Sequence, residues 1–244
     1  MSKVLVIPDV HLKPDMYEKA SEILDLKAAD FALSLGDICD DWGQEYNSEL
    51  YYKTLEAAGK FAQKYPKTLW CWGNHDLSYL WRKAESGYSF FLSGLIWELL
   101  RDWRAAVGDE NKIAYVHRID NVIFSHGGLA YSFVERWVDR ELWEDPEKVK
   151  EQINEFSSDR IWTHDSPIWL RPQNKNVKMY PEGYLQVVGH TPVAKPYLEN
   201  HVLNTDTFST MPDGSAIGDR RFIVVDTEEQ SGDTRMKLNG DNAH

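Results

Sequence analysis

Six short segments of the chain are almost continuously apolar and are rich in valine, isoleucine, leucine and aromatic residues. Runs of this length and composition are typical of strands that are buried on both faces. Segments of helical length that mix polar and apolar residues separate the first three runs, at about 15–29 and 48–64. This alternation predicts parallel β-α-β units and an α/β fold. The six runs are KVLVIPD, ADFALSLGD, KTLWCWGN, NVIFSHGG, YLQVVGHT and RFIVVD.

Two further stretches have apolar residues at helical spacing. Residues 77–112 predict an all-helical insertion, and because it directly follows the third strand we expect it to cap one side of a pocket at that strand's end. Its tryptophans, at positions 81, 97 and 103, are expected to form the insertion's own core. A second helical stretch is predicted over 131–160.

The remaining segments predict loops and one short strand. Residues 171–183 have the composition of a loop, and residues 204–221 that of a hairpin connection or a flexible loop. A short strand is predicted at 235–238. With no internal repeat and no linker-like segment, the simplest organisation is one domain over residues 1–244.

The net charge of the chain limits the classes of partner that it is expected to bind. Of its 244 residues, 27 are basic and 39 acidic, a net charge of −12. Binding along a phosphate backbone requires lysine and arginine to displace counterions, so nucleic acid is not an expected partner. A local basic pocket for a small phosphate is compatible with this balance.

The chain has two cysteines, Cys39 and Cys71, which do not make a disulfide framework and suit a reducing cytosol. The start MSKVLVIPDVHL lacks the features of a signal peptide, and no run of eighteen apolar residues occurs. We therefore expect a soluble, cytoplasmic protein with no membrane partner. Both cysteines fall beside strand ends, where we interpret them as small buried hydrophobes. A redox-sensitive pair is the alternative.

Five of the apolar runs end in an aspartate, asparagine or histidine, and four of these ends also carry glycine. In open α/β sheets, ligands bind outside the carboxyl ends of the strands. Glycine lets the backbone turn sharply and approach a ligand closely. The pattern predicts one shared pocket, bordered by Asp9-Val10-His11, Gly36-Asp37-Ile38-Cys39-Asp40, Gly73-Asn74-His75-Asp76, His126-Gly127-Gly128 and Gly189-His190-Thr191.

Carboxylate, imidazole and amide oxygens without thiolate favour a borderline or hard transition metal. An aspartate whose two oxygens point in different directions can bridge two ions. A two-metal site clamps the attacking and leaving oxygens of a phosphoryl transfer and lowers the pKa of a bound water. Each motif alone also has a structural interpretation, since Asp9 could cap a turn and His126 could be a buried core histidine.

Taken in their order, the five motifs resemble the calcineurin-like metallophosphoesterase superfamily, over positions 9–191. The resemblance implies two mixed β-sheets in a sandwich flanked by helices, with a dinuclear metal centre at one edge. It also implies the ligands: Asp9 and His11 for the first metal, Asp37 as the bridge, and Asn74, His126 and His190 for the second. Manganese is the expected metal, with iron, zinc, nickel and magnesium as alternatives.

The same resemblance assigns roles to residues that bind no metal. His75 would face the substrate as a general acid or transition-state donor, oriented by Asp40. Gly189-His190-Thr191 lacks a second histidine, which is similar to the branch of serine/threonine protein phosphatases and diadenosine tetraphosphate hydrolases, including small bacterial and phage phosphatases. The motif WLRP at 169–172 also resembles that branch, and Arg171 would grip the phosphate. A structural ion pair is the competing interpretation of Arg171.

Two positions depart from that branch. Asp41 and Trp42 follow Asp40 where the branch has arginine, and Asp76 stands where it has glutamate. Losing an arginine and gaining an acid would weaken the binding of a dianion unless another base, such as Arg82, compensates. Trp42 lies in a loop beside the pocket and is a candidate for substrate contact.

These patterns predict a metal-dependent phosphoesterase that hydrolyses phosphomonoesters, with phosphoserine and phosphothreonine in proteins as leading substrates. Hydrolysis of dinucleoside polyphosphates is the enzymatic alternative. A metal-free binding scaffold is the non-enzymatic alternative, although such members of the fold have typically lost ligands and this chain keeps all six.

Overall fold

Two β-sheets form the centre of the fold in a computed structural model that describes residues 2–173, 177–228 and 236–238. The strands are β1 (Lys3–Ile7), β2 (Phe31–Ser34), β3 (Leu69–Cys71), β4 (Ile113–Ala114), β5 (Val116–Ile119), β6 (Val122–Ser125), β7 (Leu185–Val188), β8 (Tyr197–Glu199), β9 (Val202–Asn204), β10 (Ile223–Asp226) and β11 (Met236–Leu238).

The first sheet has the strand order β11-β10-β1-β2-β3-β4, in which β1 to β4 are parallel and β10 and β11 antiparallel. The second has the order β5-β6-β7-β9-β8, with β6, β7 and β9 parallel and both edge strands antiparallel. The prediction of two mixed sheets in a sandwich is therefore confirmed, as are the six strands expected from the apolar runs.

Helices cover the outer faces of the sheets. They are α1 (Asp15–Asp25), α2 (Ser48–Lys64), α3 (Asn74–Trp81), α4 (Ser93–Val107), α5 (Tyr131–Trp137), α6 (Pro146–Asn154) and α7 (Ser158–Ile161), with 3₁₀ turns at Glu110–Lys112 and Arg140–Leu142. The prediction of helices at 15–29 and 48–64 agrees with α1 and α2. Asn47 caps α2 by accepting a hydrogen bond from the Leu50 amide.

Strand β1 shows why the runs are continuously apolar. Val4 and Val6 face the second sheet, in a core layer that includes Phe124 and Val187, whereas Leu5 and Ile7 face the helices. Since successive strand residues point to opposite faces, a strand covered on both sides needs apolar residues throughout.

The predicted all-helical insertion at 77–112 differs from the structure in its middle. The end of α3 and all of α4 are helical, but a segment without regular helix connects them. Helix α4 packs against α2 and presents Trp103 to the core, whereas Trp97 is 41% exposed. The expectation that Trp97 is core was wrong because it lies on the solvent face of α4.

Apart from Asn204, the last residue of β9, the loops predicted at 171–183 and 204–221 contain only isolated bridges, Ala130–Met179 and Thr210–Ala216, within the residues described. Of the strand predicted at 235–238, residue 235 lies outside the described residues and the rest is β11. The two-residue β4 and the strands β5, β8 and β9 were not predicted, because they are short and lie beside polar residues. None of the described helices combines the length and the apolar character needed to cross a bilayer.

Candidate metal centre

The carboxyl ends of five strands bring the predicted ligands together. Parallel neighbours in a sheet end at the same edge, so the residues after β1, β2 and β3 lie side by side, as do those after β6 and β7. The packing of the two sheets then sets one group against the other. The six side chains are Asp9, His11, Asp37, Asn74, His126 and His190, and all except His11 are buried.

Five of the six side chains, all except Asn74, form two triads that share Asp37. Ligand atoms of Asp9, His11 and Asp37 lie within 4.8 Å of one another, and so do those of Asp37, His126 and His190. Asp37 Oδ2 is 3.8 Å from His11 Nε2 and 3.1 Å from His126 Nε2. One carboxylate therefore faces both triads, which is the position of a bridging ligand.

Hydrogen bonds to backbone carbonyls orient two of the imidazoles. His126 Nδ1 donates to Leu35 O at 2.9 Å, and His11 Nδ1 donates to Asp40 O at 2.8 Å. This leaves the Nε2 lone pair of each ring facing the centre.

His126 Nε2 is 2.9 Å from Asn74 Oδ1 and 3.1 Å from His190 Nδ1. Once Nε2 of His126 is deprotonated, these nitrogen and oxygen lone pairs repel each other unless a cation lies between them. The donor set of carboxylate, imidazole and amide oxygen thus fits divalent transition-metal ions.

Charge and burial act against each other at the centre. Burial alone would raise the pKa of Asp37, but the imidazoles of His126, His75 and His11 outweigh it and hold that pKa below its usual value. Burial lowers the pKa of His11 and of His190, which keeps both rings neutral, as ligands must be.

The pKa values of two other candidate ligands, His126 and Asp9, are raised. Burial would lower the pKa of His126, yet Asp37 and Asp9 raise it to about 9, so a cation that binds through Nε2 has to displace a proton. Burial, and then the charge of Asp206, raises the pKa of Asp9. The binding of cations to this centre therefore competes with the binding of protons.

The backbone around the centre is strained. His11, Asp37, Asp40 and His190 all have positive φ, between 42° and 65°, a region that costs non-glycine residues about 1–3 kcal/mol each. Strain of this kind persists where the surrounding contacts over-determine the geometry, and here both Asp9 oxygens accept the His190 amide, at 2.9 and 3.1 Å.

Two glycines are required by close approach. A Cβ at Gly73 would overlap Asp37 Oδ1, and one at Gly189 would overlap Asp9 Oδ1. Any larger residue at either position would displace a carboxylate of the centre.

Beside the triads, His75 and Asp40 form a hydrogen-bonded pair. His75 Nδ1 lies 3.0 Å from Asp40 Oδ2, and the other Asp40 oxygen accepts hydroxyl protons from Tyr51, at 2.6 Å, and from Tyr79. Burial would lower the pKa of His75, but Asp37, Asp40 and Glu85 raise it to about 10. A protonated imidazole next to a metal centre can donate a proton to a leaving oxygen.

Arg171 lies at the rim of the same cleft, which has a volume of about 330 Å³. Its Nη1 donates to His190 O and to Thr191 Oγ1, each at 3.0 Å. Within the described residues it forms no ion pair, so the competing interpretation of a structural ion pair is not observed. Its charge is uncompensated and faces the cleft.

The departures from the branch have structural explanations. Asp41 accepts from Lys13 Nζ at 2.9 Å and from Thr210 Oγ1 at 2.5 Å, so its charge is neutralised and does not oppose a phosphate directly. The predicted compensation by Arg82 is wrong. Arg82 is an exposed residue at the end of α3 and does not line the cleft.

Asp76 is fully buried and does not face the cleft. Its carboxylate accepts the backbone amides of Ile38, Cys39 and Gly73, at 2.9, 3.1 and 3.3 Å. Burial, and then the charge of Asp37, raises its pKa to about 7. Asp76 holds the loop of Asp37 against the start of α3.

Sequence reasoning missed two carboxylates of the cleft. Glu85, from the connection between α3 and α4, accepts a hydrogen bond from Asn74 Nδ2 at 2.6 Å and thereby turns Asn74 Oδ1 toward the metal ligands. Burial raises the pKa of Glu85 to about 7. No local pattern marks Glu85, because its position depends on the path of a loop.

Asp206 lies 1% exposed in the cleft, with its oxygens bonded to the amide and hydroxyl of Ser209. It follows β9, and the run Val202-Leu203-Asn204-Thr205 before it is a weaker form of the strand-end signal seen in the five other motifs. The same strand-end pattern therefore marks Asp206 as a candidate site residue.

The predicted cap contributes only in part to the cleft. Glu85, Ser86 and Gly87 line it, while α4 packs on α2 outside it. Cys39 and Cys71 are free and buried, and burial raises the pKa of both thiols, which agrees with their interpretation as small hydrophobes.

A family model described as calcineurin-like phosphoesterase matches residues 2–226. Two similar solved structures are a cold-active protein-tyrosine phosphatase of a psychrophilic Shewanella species and a protein serine/threonine phosphatase of Saccharomyces cerevisiae with similarity to human phosphatase PP5. The first has 17% identity and a TM-score of 0.54, covering 98% of this chain and 80% of the other. The second has 12% identity and a TM-score of 0.54, covering 97% and 78%. No curated protein matches the chain. At these identities the two structures establish a shared fold.

Proposed function

The chain belongs to the calcineurin-like phosphoesterase family and is a metal-dependent hydrolase of the phosphatase type. On that premise we propose that it hydrolyses phosphomonoesters at a centre of two divalent ions, with phosphoserine and phosphothreonine in proteins among its substrates. The observation that carries this proposal is the position of Asp37, whose carboxylate faces two triads of ligands at once.

The six ligands named above would hold the two ions. When bound, such a pair, with manganese as the first candidate, lowers the pKa of water and offsets the negative charge that develops on the phosphate. The remaining chemistry is the work of this chain's own side chains.

Arg171 is proposed to bind and orient the phosphate. Its Nη1 is held by His190 O and Thr191 Oγ1, which fixes the guanidinium plane beside the centre. The other edge of the fork is then available for two parallel hydrogen bonds to phosphate oxygens.

His75 is proposed as the proton donor to the leaving oxygen. Asp40 fixes the ring through Nδ1, which leaves the Nε2–H as the group that can face the substrate. The hydroxyls of Tyr51 and Tyr79 in turn hold the Asp40 carboxylate in place. Donation from a positioned acid is typically worth 10²–10⁴-fold in rate.

Hydrolysis of dinucleoside polyphosphates is less well supported. A polyphosphate chain carries several negative charges, and Arg171 is the only lysine or arginine among the described residues that line the cleft. The cleft suits a single phosphoryl group. We also propose a cytoplasmic location, supported by the two free cysteines.

The test is an activity screen of the purified protein with added Mn²⁺ on phosphopeptides, nucleotides and dinucleoside polyphosphates, together with elemental analysis. We expect up to two metal ions per chain and turnover of phosphomonoesters. Retained metal without hydrolysis of any phosphate ester, or turnover confined to polyphosphates, would contradict the proposal.

A further inference from the structure

The cleft extends beyond the metal ligands and the phosphate-binding groups. Its acidic side chains are each engaged by a partner: Asp41 by Lys13 and Thr210, Glu85 by Asn74, and Asp206 by Ser209. These carboxylates are therefore not available to recognise the rest of a substrate. The surface that remains is mainly apolar, with the hydroxyls of Ser209 and Thr210 already engaged by Asp206 and Asp41.

Two large apolar side chains on this surface are exposed. Trp42 is 47% exposed and Met211 is 48% exposed, and both line the cleft. The described chain exposes other large apolar residues, but those lie outside this cleft. Four partly exposed neighbours complete the apolar lining: Trp169, Pro192, Pro212 and Ile217.

The loops that carry Trp42 and Met211 are tied to each other. Asp41, next to Trp42, accepts the hydroxyl proton of Thr210, which is next to Met211, at 2.5 Å. The Met211 amide also donates to Ser215 O at 2.8 Å. The two side chains are thus held on fixed backbone, and a flat group that binds between them does not need to order either loop.

This apolar surface shares one cleft with His75, the proposed proton donor. Trp42 is two residues beyond Asp40, whose carboxylate orients His75. In an in-line displacement the leaving oxygen lies opposite the attacking one, next to its proton donor. A group attached to that oxygen therefore enters the cleft that His75 and Trp42 both line.

On the basis of the proposed function, we infer that Trp42 and Met211 form a subsite for an aromatic leaving group, so that aryl phosphomonoesters are preferred over alkyl ones such as phosphoserine, with phosphotyrosine the protein example. An aromatic ring stacks on an indole and contacts a thioether sulfur favourably, which a serine or threonine side chain cannot do. The engaged carboxylates and the single arginine give a polar or polyphosphate leaving group no comparable partner.

Binding of two non-hydrolysable probes to the Mn²⁺-loaded protein tests the subsite without turnover. Calorimetry should find that phenylphosphonate binds roughly tenfold more tightly than methylphosphonate, because only the first presents a ring to Trp42. Trp42→Ala should reduce this ratio to about one, and Met211→Ala, a smaller change, should reduce it in part. Trp97→Ala is the matched control, since Trp97 is exposed to a similar extent but lies on α4 outside the cleft.

Hydrolysis of one peptide sequence with either phosphotyrosine or phosphoserine gives a second readout. An aryl ester is intrinsically more reactive than an alkyl ester. The diagnostic quantity is therefore the kcat/KM for the phosphotyrosine peptide divided by that for the phosphoserine peptide, compared between the wild type and each variant. Trp42→Ala should lower the ratio several-fold, and Trp97→Ala should leave it unchanged.

Equal affinity for both phosphonates in the wild-type protein, or a ratio unaffected by Trp42→Ala, would overturn the subsite while leaving phosphatase activity in place. Failure to bind either phosphonate, together with no hydrolysis of either peptide, would overturn the proposed function and the subsite with it.

Discussion

The two triads of the metal centre are assembled in different ways. Asp9, His11 and Asp37 all follow neighbouring parallel strands of the first sheet, whose register alone brings them together. The second triad combines Asp37 with His126 and His190, which follow strands of the second sheet. Its geometry therefore depends on how the two sheets pack.

The difference is also chemical. The first triad is rich in carboxylate and the second in imidazole, so the first position favours harder cations and the second borderline ones. Hydrogen bonds across the sheets hold the second position in place, from His126 Nδ1 to Leu35 O and from the His190 amide to Asp9. One half of the centre therefore follows from strand register and the other from tertiary packing.

Replacement of Asp37, the ligand that both triads share, should disrupt both metal positions and have the largest effect on activity. Asp37→Asn takes away the charge that faces both triads, and we expect loss of both ions and a fall in kcat/KM of at least roughly 10³-fold. Asp9→Asn touches the first triad alone and should retain about one ion per chain. Elemental analysis beside steady-state kinetics measures both. Equal metal content in the two variants would contradict the bridging role of Asp37.

The residues proposed to act on the substrate also come from both sheets. His75 follows β3 of the first sheet, and Arg171 precedes β7 of the second. His75→Ala should cost about 10²–10⁴-fold on a phosphoserine peptide, whose alkoxide must be protonated as it leaves. The loss on p-nitrophenyl phosphate should be clearly smaller, since nitrophenolate leaves unprotonated.

Asp40→Asn should show the same bias more weakly, because Asp40 only orients and tunes the ring. Metal content is the control for both variants. Losses of the same size on both substrates, with metal retained, would mean that His75 does not donate the proton.

Arg171→Ala should lower kcat/KM for the phosphoserine peptide and for p-nitrophenyl phosphate by the same factor. A charge-assisted hydrogen bond contributes about 1.5–3 kcal/mol, which corresponds to roughly 10–150-fold in kcat/KM. The loss should not depend on the leaving group, because Arg171 is proposed to bind the phosphate that all substrates share. Arg171→Lys should recover only part of it, since an ammonium group cannot form the bidentate pair. A loss confined to the phosphoserine peptide would be inconsistent with this assignment.

The smallest expected effect concerns His117, which lies at the contact between the two sheets, away from the metal centre. It is an effect on the free energy of unfolding. Its Nε2 donates from β5 of the second sheet to Trp70 O in β3 of the first, at 2.9 Å. Burial lowers its pKa to about 4. The unfolded chain therefore binds more protons between about pH 6.5 and pH 4, and stability falls as the pH is lowered through that window.

Denaturant unfolding of wild type and His117→Gln at pH 7 and pH 5 measures this effect. We expect the wild type to lose about 1–2 kcal/mol more than the variant, because the variant lacks the titrating group. Loss of metal in acid should contribute equally to both proteins and cancel. His164→Gln, at an exposed histidine, is the matched control and should behave as wild type. The same pH dependence in His117→Gln as in wild type would contradict the prediction.

The sequence was sufficient for the features that local pattern encodes. Buried strands need apolar residues on both faces, so β1, β2, β3, β6, β7 and β10 could be recognised from their runs. The polar residues at their ends are marked by the same contrast, and the order of parallel strands places them at one edge. This pattern marks the shared pocket, and the resemblance to the family selects the six metal-ligand candidates within it.

Only the tertiary structure decided which other groups reach the cleft. Glu85 and Asp206 lie on connections whose paths depend on contacts between distant parts of the chain, as does the link from Asp41 to Thr210 that joins the loops of Trp42 and Met211. Arg82 has the positive charge that a phosphate needs, but its position at the end of α3 places it outside the cleft. Periodicity and turn residues report the conformation of neighbours in sequence, whereas the packing of loops on a rigid scaffold is set by non-local contacts. The candidate metal ligands thus follow from the sequence, and the shape and polarity of the cleft around them follow from the fold.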